Sequence, residues 1–244
     1  AYVFNQDISS WDVSNVTSFA SLFRKAQAFN QPLNTWSTGQ VTSLNRTFQE
    51  ASAFNQDLGS WDTSQVTDME RCFHIAPAFN GDVSSWDTRA VTTFQDMFHA
   101  AGAFNQDISS WDTRALTAMA SMFLGATVFN QDISTWDVST VTNFSKVFMD
   151  AVAFNQPLNA WSVSNGTNFH KTFSGAGVFN QDLGTWDMAS ADDTTEMFQH
   201  ATAFNQDISG WNVQGVTNMS KMFNNAYGGL GAFAQDLSAW DVSN

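Results

Sequence analysis

Aspartate is the side chain in this sequence that is best placed to do chemistry, because it recurs in two columns with a period of 25 residues. Fifteen of the 23 carboxylates lie in these columns. The first column contains Asp7, Asp57, Asp82, Asp107, Asp132, Asp182, Asp207 and Asp236. The second column contains Asp12, Asp62, Asp87, Asp112, Asp137, Asp187 and Asp241. Carboxylates about 5 Å apart in a column repel each other by roughly 0.8 kcal/mol in water, so another group must compensate for their charge.

Two kinds of group could compensate for this charge. Backbone amides do so if each Asp closes a turn, which is the interpretation we favour for the Gln-Asp and Trp-Asp-x-Ser contexts. Calcium is the alternative, because it binds clustered carboxylate and carbonyl oxygens. The repeats that have Pro32 and Pro157 in the first column also lack the second Asp, as expected for a shared ligand set. The candidate calcium ligands are Asp7, Asp57, Asp107, Asp132 and Asp182.

The sequence offers no catalytic constellation. The four histidines, His74, His99, His170 and His200, fall in three columns, so they predict neither a metal triad nor a Ser-His-Asp set. Cys72 lies in an apolar column and is predicted to be a core residue. The glycines at 228, 229 and 231 lack the lysine and the strand of a phosphate loop, and they predict a flexible bulge. We therefore predict no enzymatic activity and no cofactor apart from the calcium alternative.

Composition narrows the classes of partner. The formal charge of −14 argues against nucleic acid or an anionic membrane, since both require a basic surface. No apolar run is long enough to span a bilayer, so no membrane insertion is expected of this segment. Ten tryptophans and 23 phenylalanines provide a large aromatic core.

The aspartates are positioned by a repeat that begins with phenylalanine, at 4, 29, 54, 79, 104, 129, 154, 179, 204 and, after an insertion, 233. Apolar and β-branched residues around Ser10 to Ser14 predict a short strand. Apolar residues at i, i+3, i+4 and i+7 from Phe19 predict a two-turn helix, and Thr17 would be its N-cap. We predict an α/β solenoid of ten 25-residue strand-turn-short-helix repeats with one parallel sheet roughly 45 Å long.

In such a stack, identical residues form columns. We expect Trp11 to Trp240 to form an aromatic ladder, and Asn5 to Asn205 to form an amide ladder whose side chains bond the next repeat. We interpret residues 1–244 as a single repeat domain. The Gln-Pro-Leu-Asn sequence at Gln31 and again at Gln156 indicates duplication of a five-repeat block, so we expect the domain to be a segment of a longer array.

One surface of the predicted sheet would be flat, acidic and rich in hydroxyl groups. Seven of the nine basic residues lie in the other half of the repeat, which favours side-by-side packing of copies or capture of a cationic partner. Open ends would also permit end-to-end stacking. Calcium, glycan or ice binding by the same surface is the alternative function. The candidate partner-binding residues are Asp12, Asp62, Asp87, Asp112, Asp137, Asp187, Ser10, Ser60, Ser85 and Ser110.

The repeat F-N-Q-D-I-S-x-W-D-V-S-x-V-T-x-M-x-x-M-F-x-x-A resembles the BspA-like bacterial surface protein repeats, which also occur in mycoplasma lipoprotein-associated domains. The Phe-Asn, Trp-Asp, Val-Thr and Met-Phe pairs carry the resemblance, which covers the whole chain. It implies a leucine-rich-repeat-like solenoid that is extracellular or displayed on the cell surface. It also implies a non-enzymatic role in adhesion or protein binding. Our own interpretation adds a structural scaffolding role, with filaments if copies stack through their open ends. The chain departs from the pattern at Gly166, Ala191 and Thr194.

Overall fold

The chain forms a stack of layers in a computed structural model that describes residues 2–225 and 231–243. Each 25-residue repeat makes one layer, so layer 1 starts at Phe4, layer 2 at Phe29 and layer 10 at Phe233. Equivalent phenylalanine rings of successive layers are stacked, with centroids 6.0 Å apart for Phe29 and Phe54. The insertion at residues 226–230, where we predicted a bulge, lies outside the described residues.

The predicted α/β solenoid is wrong, and so is the leucine-rich-repeat-like architecture. The described residues contain no helix, and their β-structure is limited to isolated parallel bridges such as Ser18 to Ser43 and Asn168 to Asp193. The parallel sheet and the length calculated from it are therefore wrong as well. Most of each layer consists of turns and irregular backbone.

A chain of β-turns replaces the predicted helix. Leu22 N–H donates to the Phe19 carbonyl at 2.9 Å, and Ala26 N–H donates to the Phe23 carbonyl at 2.9 Å. The third residue of each turn has a positive φ, 61° at Ser21 and 60° at Lys25, as in type II turns. These turns repeat every four residues. They therefore place Phe19, Leu22, Phe23 and Ala26 at the spacing that suggested a helix.

Bonds between layers explain why the turns form in place of a helix. Phe19, Ser21 and Phe23 donate their amides to the carbonyls of Ser43, Asn45 and Thr47 in the next layer, at 2.8–3.0 Å. A helix would use these amides within one repeat, and a helix of about eight residues is marginal alone. Alternating turns leave every second amide free to join the layers. We call the outward side chains of residues 17–25 and their equivalents in later layers the ladder face.

The threonine column has a different role from the predicted N-cap. Thr42 donates its amide to the Thr17 carbonyl at 2.8 Å and its hydroxyl to the same oxygen at 3.1 Å. The strand predicted around Ser10 to Ser14 is also wrong. Trp11 N–H bonds the Ile8 carbonyl at 3.0 Å, and Val16 N–H bonds the Val13 carbonyl at 2.9 Å, so two β-turns occupy this stretch.

Both side-chain ladders are present. Asn5 Oδ1 accepts the Asn30 amide at 2.9 Å and Gln31 Nε2 at 3.1 Å, and this pattern recurs up to Asn205. Trp36 donates its indole N–H to the Ile8 carbonyl of the preceding layer at 3.1 Å. The indoles from Trp36 to Trp211 are 3% exposed, whereas Trp11 in layer 1 is 58% exposed. Cys72 is fully buried, as predicted.

The spacing of the stacked rings differs between columns. Adjacent indole rings lie 6.2–6.5 Å apart and are inclined by 5–8°. The phenylalanines of the Phe23 column, beside the ladder face, lie only 5.3–5.9 Å apart. The rings of the Phe23 column are therefore in closer contact with each other than the indoles are.

Candidate functional site

The first aspartate column closes turns. Asp7 Oδ1 accepts the Ser9 amide at 2.9 Å, and Asp107 accepts the Ser109 amide at 2.9 Å. Asp132 and Asp182 make the same bond to the residue two positions on. Asp57 instead accepts the Asp82 amide of the next layer at 2.9 Å.

The second column has the same geometry. Asp12 Oδ1 accepts the Ser14 amide at 3.0 Å, and its equivalents in later layers repeat this bond. Layer 9 has Asn212 in this column, and its Oδ1 accepts the Gln214 amide at 3.2 Å. An uncharged carboxamide therefore closes the same turn, so the negative charge of the column is not needed for the turn.

Most aspartates of the two columns are stabilised in their ionised form. The amide and the hydroxyl of Ser9 lower the pKa of Asp7, and the hydroxyl and the amide of Ser14 lower the pKa of Asp12. The Arg114 side chain has the largest effect on Asp112, whose pKa is lowered to about 2. These carboxylates are therefore charged at any pH above about 4.

The part of the chain that the structure describes contains no set of side chains that would bind the predicted calcium. No group of three or more His, Cys, Asp or Glu side chains lies close enough there to hold a metal ion. Each column contributes one carboxylate per layer, and one oxygen of nearly every such carboxylate accepts an amide. The turn-closing interpretation accounts for these contacts without a cation.

The predicted hydroxyl column also joins layers. Ser60 Oγ donates to the Asn34 carbonyl at 2.8 Å, and Ser85 and Ser110 donate to the equivalent carbonyls at 2.6 Å and 2.9 Å. Ser10 lies in layer 1 and is exposed like the others. These hydroxyl groups use their hydrogen within the stack, so towards a partner they present acceptor oxygens.

Charge is divided unequally between two stretches of each repeat. The two aspartate columns, which we call the acidic face, carry 15 carboxylates and have only Arg89 and Arg114 among them, a formal charge of −13. Both arginines pair with the aspartate two residues before them in the same layer. The remaining stretch, from the Thr17 column to the Lys25 column, carries eight carboxylates and seven basic residues, a charge of −1.

The ladder face contains a polar network that sequence reasoning missed. Arg71 pairs with Glu70 and with Asp96 of the next layer, both at 3.0 Å. Arg46 extends the network to Glu70 at 3.1 Å, and the His99 ring lies 3.4 Å from Asp96. A signal was present in the sequence, because Arg46, Arg71 and Asp96 occupy one column, which places opposite charges in adjacent layers.

The contact between His74 and His99 confirms that these two residues occupy equivalent positions in adjacent layers. The rings of His74 and His99 meet edge to face with centroids 4.5 Å apart, and Gln49 Nε2 lies 3.3 Å from His74 Nδ1. Burial, followed by the nearby His99, lowers the pKa of His74 to about 4. The His74 ring is therefore a neutral part of a side-chain network at pH 7.

Comparison with known families identifies the repeat. The model of DUF285, a Mycoplasma protein family of unknown function, matches residues 1–83, 44–161 and 129–240. The chain belongs to this family. The three overlapping matches agree with the internal repeat, and they support the mycoplasma part of the resemblance described above. No curated protein matches the chain. Over the described residues there is no helix with the length and hydropathy needed to cross a membrane.

Proposed function

We propose that this chain is a non-enzymatic repeat protein of the cell surface that binds cationic protein surfaces through its acidic face. The observation that carries the proposal is the separation of charge, with −13 on the acidic face and −1 on the rest of the chain. A field of one sign attracts and orients a partner of the opposite sign. Adhesion or scaffolding at the surface, as in the BspA-like repeats, follows from such binding.

The turn bonds strengthen this proposal. Each aspartate is held by a backbone amide, so its charge has a fixed position in every layer. Where the pKa of an aspartate is lowered, as at Asp7 and Asp12, the side chain keeps its negative charge at the pH at which the protein would meet a partner. Loss of both aspartates in layers 2 and 7, at Pro32, Ser37, Pro157 and Ser162, divides the acidic face into segments along the stack.

Binding of polylysine to charge variants tests the proposal. Four changes in layers 1 and 3 remove charge while keeping a turn-closing oxygen, as Asn212 does naturally. The variant carries Asp7→Asn, Asp12→Asn, Asp57→Asn and Asp62→Asn. We expect its affinity for polylysine to fall at least tenfold at low salt, and the affinity of the native chain to fall as salt is raised.

A control variant removes the same number of charges from the other side of the stack. It carries Glu50→Gln, Asp68→Asn, Asp150→Asn and Asp193→Asn. We expect this variant to bind polylysine with nearly native affinity. Equal losses in the two variants, or binding that does not depend on salt, would overturn the proposal.

A further inference from the structure

Three exposed valines form a row on one flank of the stack. Apart from residues of the first and last layers, the large apolar side chains that are prominently exposed among the described residues are Ile75 and three valines. Val128, Val152 and Val178 are 44%, 46% and 48% exposed. They lie in layers 5, 6 and 7, one in each layer, and we call them the valine row.

The valine row has the shape of a packing surface, because projecting side chains alternate with open positions. Its members alternate between the last and the next-to-last residue of successive layers, so they form a zigzag along the stack. The alternate positions hold small residues in layers 6 and 7, Ala153 and Gly177. A side chain built at Gly177 would meet only the Thr202 hydroxyl at 3.7 Å, so this position is open. Knobs and gaps therefore alternate at the spacing of the layers.

The negative charge near the valine row is reduced beside its central member, Val152. The acidic face is interrupted in layer 7, where Pro157 and Ser162 replace both aspartates, and Pro157 follows Val152 by five residues. The side chains that lie between the row and the first aspartate column are the uncharged Asn and Gln of the amide ladder. A second molecule with a charge of −14 could approach here with less repulsion than at the acidic face.

We propose that the valine row is the contact through which two copies of this chain pack side by side. A second copy related by a twofold axis presents the same zigzag in the opposite direction, so its valines enter the gaps beside Ala153 and Gly177. Only a partner with the same layer spacing offers apolar groups at matching intervals.

Sedimentation equilibrium of the native chain tests this inference. We expect a monomer–dimer equilibrium that strengthens as salt is raised, because salt screens the repulsion between the acidic copies. Binding to polylysine weakens under the same conditions, so the two proposals can fail independently. A native chain that stays monomeric, with a dissociation constant above about 1 mM, would overturn the inference.

Two variants identify the contact. The first replaces the row by Val128→Ser, Val152→Ser and Val178→Ser, and we expect at least a tenfold rise in the dissociation constant of the dimer. The second, Trp11→Ser with Leu22→Ser, changes the apolar end of layer 1, where these residues are 58% and 45% exposed, and should dimerise like the native chain. Dimerisation that is lost in the second variant and kept in the first would place the contact at the end of the stack and contradict the inference. Thermal melting of both variants checks that each is folded.

Discussion

Individual residues hold this protein together mainly by bonding the equivalent residue of the neighbouring layer. Asn5 bonds Asn30, Thr42 bonds Thr17, and each buried tryptophan bonds a carbonyl of the preceding layer. Neutral groups make most of these bonds, so their stacking brings no repulsion between like charges. The aspartates differ because they bond mostly within their own layer and keep one oxygen for solvent or a partner.

Thr113 is an exception among the buried threonines. Thr38, Thr63 and Thr88 donate their hydroxyls to an aspartate carbonyl of the next layer at 2.9–3.0 Å. The buried Thr113 hydroxyl has no such partner within the described residues. An unpaired buried hydroxyl is destabilising, and the next layer has Val138 in the same column.

We therefore expect Thr113→Val to raise the free energy of unfolding by about 1 kcal/mol. Urea denaturation provides the measurement. The matched control is Thr88→Val, which removes a real hydrogen bond and should lower the free energy of unfolding by about 1 kcal/mol. If both variants changed stability in the same direction, the contrast between the two hydroxyls would be disproved.

The recurring local structure of this protein is the four-residue turn formed by residues 19–22, by residues 23–26 and by their equivalents in later layers. It requires a positive φ twice in each layer, and the residues found there are mostly not glycine. Left-handed backbone costs about 1–2 kcal/mol for a residue with a Cβ atom, and the bonds between layers must compensate for it. Gly125 and Ala100 occupy equivalent positions of neighbouring layers with φ of 67° and 56°.

This pair allows the strain to be measured. Ala100→Gly should stabilise the protein by up to about 1 kcal/mol, because relief of strain exceeds the entropy lost by glycine. Gly125→Ala should destabilise it by about 1 kcal/mol, since the added Cβ meets nothing closer than 3.8 Å and only the backbone strain counts. Thermal or urea unfolding would show the two opposite shifts. A stabilising Gly125→Ala would mean that the turn does not have the left-handed geometry.

The whole molecule combines a stack of layers with a strongly unequal distribution of charge. Its titrating groups also give it a common response to acid. His74 has a folded-state pKa of about 4, lowered first by burial and then by His99, with Arg71 acting in the same sense and Asp96 and Glu50 opposing. Eleven of the fifteen aspartates in the two columns, among them Asp7 and Asp12, have a pKa below its ordinary value of 3.8. In both cases the unfolded chain binds protons more readily than the folded chain.

Stability is therefore expected to fall as pH falls, in two ranges. Between about pH 6.5 and 4 the loss comes mainly from His74, which contributes no more than about 3 kcal/mol, and in smaller part from His170, whose pKa is also lowered by burial. Below about pH 4 the loss comes from the aspartates. His74→Gln should remove most of the loss in the upper range, apart from the part due to His170, and leave the lower range unchanged, which urea denaturation at a series of pH values would show. If the loss of stability between about pH 6.5 and 4 were the same in this variant as in the native chain, the assignment to His74 would be contradicted.

The sequence by itself determined the period of 25 residues, the inward positions, the tryptophan and amide ladders and the acidic face. These follow from the identity of residues at a fixed spacing, because equal side chains stack when each repeat makes one layer. It could not determine the local backbone. Phe19, Leu22, Phe23 and Ala26 have the spacing of a helix and equally that of successive four-residue turns, and the choice depends on whether their amides bond within a repeat or between repeats. Only the tertiary structure decided this, because the carbonyls that accept the amides of Phe19 and Phe23 belong to residues 24 positions further along the chain. The valine row and the Arg71 network were hidden for the same reason, since their members become neighbours only when the layers stack.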